Sequence, residues 1–378
     1  MKSKIFLNTI FVVFLLSFLY PVEVQAKEWK DSISLDEVEK AFEQMQEGNS
    51  DFSIKEYVNG IVKGKNKFSM KEIVKRAVSQ LERQLNEQKD TFFYILALGI
   101  LAGIFVNFSG TIGDRSLSET GIYITYLVLF ATMAAGFFTV YEVSGEVLSN
   151  LLLFMRALIP SFSLALCIGG GMGTSLAYYE TMLIAMSFLE TFMLKVLLPG
   201  VQIFFTIGML NPLTDNHFSK LAGLIKSFLG WCAKLLFGIL IGYQGLQGLL
   251  LPVMDQLKNN TMWQMAKGLP GVGNTAGSIA DTVAGSGLLL KSAVGIGGVV
   301  CIGLICLYPL LKIFVFMIMS RVGGAVLQPV SDRKMVTALQ VAADSGKLLI
   351  EYVLAGALLF VFSIIIVLVS VRGIVCSR

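Results

Sequence analysis

From Thr91 onward, apolar residues come in long blocks separated by breaks that are glycine-rich or hold few charges. Each block is about long enough to cross the ~30 Å hydrocarbon layer of a bilayer, where only helices and closed barrels satisfy their own backbone polar groups. The blocks fall near 92–108, 122–140, 150–168, 178–198, 233–253, 294–319 and 348–371, which predicts about seven transmembrane helices, with six to eight compatible. The stretch 178–210 exceeds one plain span and is interrupted by Pro199-Gly200, so it reads as two half-helices. Pro160 and Pro309 lie inside apolar blocks and predict kinks. Between Ser219 and Leu235, Lys220, Ser227 and Lys234 share one face and Leu221, Leu224, Ile225, Phe228 and Cys232 another. That pattern predicts a helix at headgroup level that then turns inward.

The first 90 residues follow a different pattern. A basic start at Met1 to Lys4, an apolar run from Ile5 to Tyr20, and Val24-Gln25-Ala26 after Pro21 predict a signal peptide over 1–26, cleaved before Lys27. An uncleaved anchor is the alternative, and either places the next segment outside the cytoplasm. Residues 27–90 hold 12 Lys and Arg against 13 Asp and Glu, with no Cys or Pro, as a short exported helical region should. Ser34 to Glu37, Ser53 to Glu56 and Ser69 to Glu72 are three boxes able to cap helix starts. Leu35, Val38, Phe42 and Met45 form an apolar stripe in the first helix; Val74, Val78, Leu81 and Leu85 form one in the third. The third helix either lies on or continues into the membrane, or packs in a small bundle of these helices. Residues 91–378 make up the polytopic region, and the fold class is an all-α membrane protein.

Composition agrees: 55% of residues are hydrophobic, 15% charged, and the mean hydropathy is +0.72. A net charge of +4 provides no basic field for nucleic acid. The single histidine, His217, rules out His-rich metal sites and argues against a histidine-dependent triad, and the five cysteines have no metal or disulfide spacing. No cofactor is expected, and no enzyme motif is present. The glycine-rich segment 267–298 misses both dinucleotide and P-loop spacing, and its glycines suit a re-entrant loop or a crowded helix crossing. Gly238, Gly242, Gly245 and Gly248, like Gly169 to Gly173, mark small-residue faces for helix packing or a homo-oligomer.

Charges inside the blocks carry most of the functional information, because each is costly in hydrocarbon and is usually paired or water-facing. They are Arg156, Glu180, Glu190, Lys195, Lys312 and Glu351. Glu190 and Lys195 are five apart, about 140° around an α-helix, so they should seek partners on other helices. Arg156 with Glu190 and Lys195 with Glu351 would mark an intramembrane polar path, while Glu180 and Glu351 near span ends can instead snorkel. Orientation signals compete, since the cations at 320–347 and in the tail lie on opposite sides of the last span. Seven spans would place the tail inside, and six or eight the 320–347 loop.

The order of features, with Lys63-Gly64-Lys65-Asn66-Lys67-Phe68-Ser69-Met70-Lys71-Glu72, the glycine run, Leu288-Leu289-Leu290-Lys291-Ser292-Ala293-Val294-Gly295-Ile296 and Leu327-Gln328-Pro329, resembles the stage III sporulation protein AE family. The resemblance implies a multi-pass protein of the mother-cell membrane around the forespore. Its implied partners, besides membrane lipids, are other proteins of the sporulation stage III operon and a forespore-side protein, in a channel complex needed for forespore development. A membrane scaffold that conducts nothing, or a stand-alone permease, are the alternatives. The resemblance assigns no residue a chemical role.

Overall fold

The computed structural model describes residues 36–45, 53, 58, 70–112, 115–168, 172–214, 217–267 and 273–375. The leader expected at 1–26 and most of the helix expected after Ser53 lie outside them. The described elements are α1 (Asp36–Met45), α2 (Met70–Ile112), α3 (Arg115–Ile168), α4 (Met172–Phe188), a π-helical segment (Leu189–Leu197), α5 (Leu198–Leu210), a 3-10 turn (Asn211–Thr214), α6 (Ser219–Lys267), α7 (Gly273–Leu327) and α8 (Arg333–Val375).

Among the described residues six helical runs are long and apolar enough to cross a membrane: Ala77–Asn107, Glu119–Cys167, Ser175–Thr214, Ser219–Leu246, Lys291–Leu327 and Arg333–Val369. The all-α polytopic class therefore holds, with six such runs in place of about seven. The difference arises in α3, which joins the blocks expected at 122–140 and 150–168 into one 54-residue helix. Residues 141–149 are polar, but Val140, Ser144, Val147, Leu148 and Leu151 are all buried at helical spacing, so one packing stripe runs unbroken through them. The Ser144 hydroxyl donates to the Val140 carbonyl at 2.6 Å, removing the cost of burying it.

The predicted break at Pro199-Gly200 is also absent, since α4, the π segment and α5 form one crossing. Pro199 stands in the first turn of α5, where a missing N–H is tolerated. Just upstream the register widens, with the Leu198 N–H donating to the Met193 carbonyl five residues back. Widening lets the proline ring avoid the carbonyl it would strike in an uninterrupted α-helix. Pro160 and Pro309 likewise lie within α3 and α7, which continue past them. The segment expected to lie at the headgroups, 219–235, is the beginning of the 49-residue α6.

α7 and α8 form an antiparallel hairpin, with Asp332 capping α8 through a 2.7 Å bond from the Lys334 N–H. Glycine permits close helix approach at several places; a Cβ on Gly298 would lie 2.7 Å from a Leu158 methyl, and one on Gly356 2.8 Å from a Leu148 methyl. Phe137 of α3 stacks on Phe205 of α5 with centroids 4.0 Å apart. The Tyr126 hydroxyl donates to the Met209 carbonyl at 2.5 Å, tying the same two helices.

The N-terminal helices pack on this bundle. Val38 and Phe42 of the α1 stripe are buried, and Phe42 meets Phe154 of α3 edge-on with centroids 6.5 Å apart. The predicted stripe on α2 is not its buried face: Val78 and Leu85 are exposed, while Gln84 is buried and donates to the Tyr308 hydroxyl at 3.3 Å. The α7 surface opposite this part of α2 offers a hydroxyl, so a polar residue packs there at lower cost than an apolar one.

Candidate functional site

Three charged side chains from two crossings converge on one face. Arg156 of α3 donates to Glu190 at 3.0 Å, and Lys195 lies 3.9 Å from the other Glu190 carboxylate oxygen. The expectation that Glu190 and Lys195 could not pair on one helix is overturned by the π segment that contains both. Where the backbone bonds run over five residues, side chains five apart stack on the same side. A signal existed in the sequence, because Leu189, Met193, Leu197 and Val201 recur at a strict interval of four and all are buried. An α-helical stripe alternates threes with fours.

Packing sets this triad against the α7–α8 hairpin. Leu189 lies 3.0 Å from where a Gly356 Cβ would stand, and Leu158, two residues beyond Arg156, reaches Gly298. Both glycines belong to the stretches of α7 and α8 that are long and apolar enough to cross a membrane. The charges do not point inward, however. The side chains of Arg156, Glu190 and Lys195 are 54%, 43% and 66% exposed on the outer surface of the chain.

Glu351 does not join them. It pairs at 3.6 Å with Lys347, one turn earlier on its own helix, and the expected contact with Lys195 is not made. Glu180 is exposed on α4, and Lys312 faces a separate cavity between α2, α3 and α7.

The structure also brings together charges that sequence reasoning missed. Lys226 of α6 donates to Asp344 of α8 at 2.5 Å, and Arg321 of α7 lies 3.8 Å from the same carboxylate. Lys347, three residues along α8, offered Asp344 a cation on its own helix, so nothing in the sequence pointed to partners on other helices. Lys291 is buried, with its ammonium 3.4 Å from the Leu368 carbonyl where α7 and α8 meet. Its position inside the glycine-rich segment 267–298 hid it among residues read as a re-entrant loop or a crowded helix crossing.

Six helical runs among the described residues, each long and apolar enough to cross a membrane, with a charged triad on an outer face define a polytopic helical membrane protein. The chain belongs to the stage III sporulation protein AE family, whose model matches residues 52–371. A relative from Bacillus subtilis (strain 168), named stage III sporulation protein AE, is 22% identical over 320 residues, covering 84% of this chain and 79% of the relative. No solved structure matches the chain. Family membership gives this membrane protein a role in sporulation.

Proposed function

We propose that the chain is an integral component of a channel or transport complex in the mother-cell membrane around the forespore, assembled with other products of its operon and a forespore-side partner. The observation that carries this reading is the outer-facing Arg156, Glu190 and Lys195 triad. A charge at the bilayer centre costs roughly 2.5–3.5 kcal/mol on insertion scales, more than exposed ion pairing returns. Three half-exposed charges at one depth therefore call for water or another protein chain beside them. A wall of a polar path, closed by a second copy or by an operon partner, supplies both.

Charge distribution supports an orientation. With an exported start, six crossings place the α2–α3, α5–α6 and α7–α8 connections in the cytoplasm. Arg115, Lys220, Lys226, Arg321, Arg333 and Lys334 cluster near those ends, as the positive-inside rule asks.

The test is Glu190→Gln in the chromosomal gene, with protein level and complex assembly followed alongside spore yield. The expected result is lost sporulation with normal level and assembly. Unchanged sporulation removes the triad from any path, and normal forespore development after deleting the gene removes the whole reading. The scaffold alternative takes the same outer-facing triad as a contact for a partner chain, and it predicts that Glu190→Gln abolishes assembly itself.

A further inference from the structure

About 24 Å along α3 from the triad, sixteen residues at ~1.5 Å each, α2, α3 and α7 border a partly open cavity of about 220 Å³. Two opposite charges line it, Glu87 from α2 and Lys312 from α7. Lys312 lies in the apolar stretch of its helix and, among the described residues, no carboxylate is within ion-pairing reach of it. Glu87 is held in place by Arg83 at 2.9 Å and by the Gln84 amide at 3.2 Å. A carboxylate has about four acceptor positions, so each Glu87 oxygen keeps room for a further donor.

Three of the four hydroxyls of the lining, those of Thr132, Thr139 and Ser320, donate to carbonyls of their own helices. Thr132 and Thr139 spend their hydrogens on the Val128 and Ala135 carbonyls of their own helix, at 2.9 and 3.0 Å. What they turn to the cavity is lone pairs. The cavity thus offers a set of acceptors, Glu87 with the two threonines, and one strong donor, Lys312. Phe92, Met133 and Phe316 supply apolar surface between them. By size the space holds about seven waters at ~30 Å³ each, and it falls below the ~300–1,000 Å³ of pockets for drug-sized ligands.

We propose that this cavity is a binding site for a small aliphatic zwitterion, an α-amino acid of the valine or leucine class. Its carboxylate meets Lys312, its ammonium meets Glu87 and the threonine oxygens, and its side chain lies on Phe92 and Phe316. The two protein charges are left apart because the ligand bridges them. This inference is independent of conduction by the complex, since it is read on the purified protein.

The test is equilibrium binding of radiolabelled L-leucine to the full chain in lipid nanodiscs. Unlabelled competitors are leucine amide, which lacks the carboxylate, 4-methylpentanoate, which lacks the ammonium, and inorganic phosphate. We expect saturable binding at millimolar or lower concentration, with each competitor at least about tenfold weaker than leucine, the equivalent of losing one good polar contact. Lys312→Gln should weaken binding by at least about tenfold and Lys312→Arg less, with the melting temperature of each followed as a control. Absence of saturable binding to the wild-type chain overturns the proposal. So does equal competition by 4-methylpentanoate or phosphate, which would make the site one for anions or acyl chains. The competitor series needs no variant, so a misfolded Lys312→Gln protein does not protect the idea.

Discussion

α6 and the α7–α8 hairpin are both apolar enough to cross a bilayer, yet they occupy opposite situations. Mean hydropathy is 1.8 for the α6 crossing and 2.5 and 2.9 for the hairpin helices, while the share buried inside the chain is 6% against 50% and 56%. Hydropathy reports only that water is excluded; burial reports which neighbour excludes it. In the hairpin, glycines press against side chains of other helices, as Gly298 does on Leu158. On α6, a Cβ added to Gly223, Gly230, Gly238, Gly242 or Gly245 would meet nothing within 4 Å. Of the helix-packing face expected at Gly238, Gly242, Gly245 and Gly248, the first three meet nothing within the described chain, while Gly248 is buried.

The largest effect that could break this contrast is Phe360→Ala in α8, whose side chain is fully buried. It should cost about 3–5 kcal/mol, read as a fall in the thermal unfolding midpoint in detergent. A loss below about 1 kcal/mol would mean the hairpin is not the core. Next, Gly298→Leu should cost about 1–3 kcal/mol through overpacking against Leu158, seen as lower thermal stability and poorer monodispersity.

Asp344→Asn tests the link between the two regions. Its partners are partly exposed, so the expected loss is only about 0.5–1 kcal/mol. Hydrogen exchange should rise at the start of α6 and not in α8. Smallest of all, Gly242→Leu should cost the isolated chain nothing beyond about 0.5 kcal/mol. A loss as large as that of Gly298→Leu would show that α6 has a hidden neighbour within its own chain. If it leaves the chain intact and releases it from cosedimenting operon partners, α6 is the face that the assembly covers.

Most of the fold was legible in the sequence because hydrocarbon imposes long apolar stretches, and those appear plainly from Phe92 to Val369. The joining of two blocks in α3 was harder to see. Tyr141 to Asn150 resembles a loop by polarity, and only the spacing of Val140, Val147, Leu148 and Leu151 shows that the helix goes on. The site was half legible. That Arg156 and Glu190 would attract each other follows from the cost of leaving either alone in lipid. Lys195 joining them required a widened turn, for which Pro199 four residues later was the local cause and the fourfold apolar interval the faint sign. The Glu87 and Lys312 cavity was not legible at all, because it depends on how α2 lies along α7, a relation between residues over two hundred positions apart.

α3 runs 54 residues without interruption, about 81 Å at ~1.5 Å per residue, against a hydrocarbon layer of ~30 Å. More than half of this rod must stand outside the lipid or lean steeply across it. It carries one wall of the Glu87 and Lys312 cavity at one level and Arg156 at another, with no hinge loop between to absorb movement. Torque or thrust applied to its projecting part would reach both levels together, as along a lever.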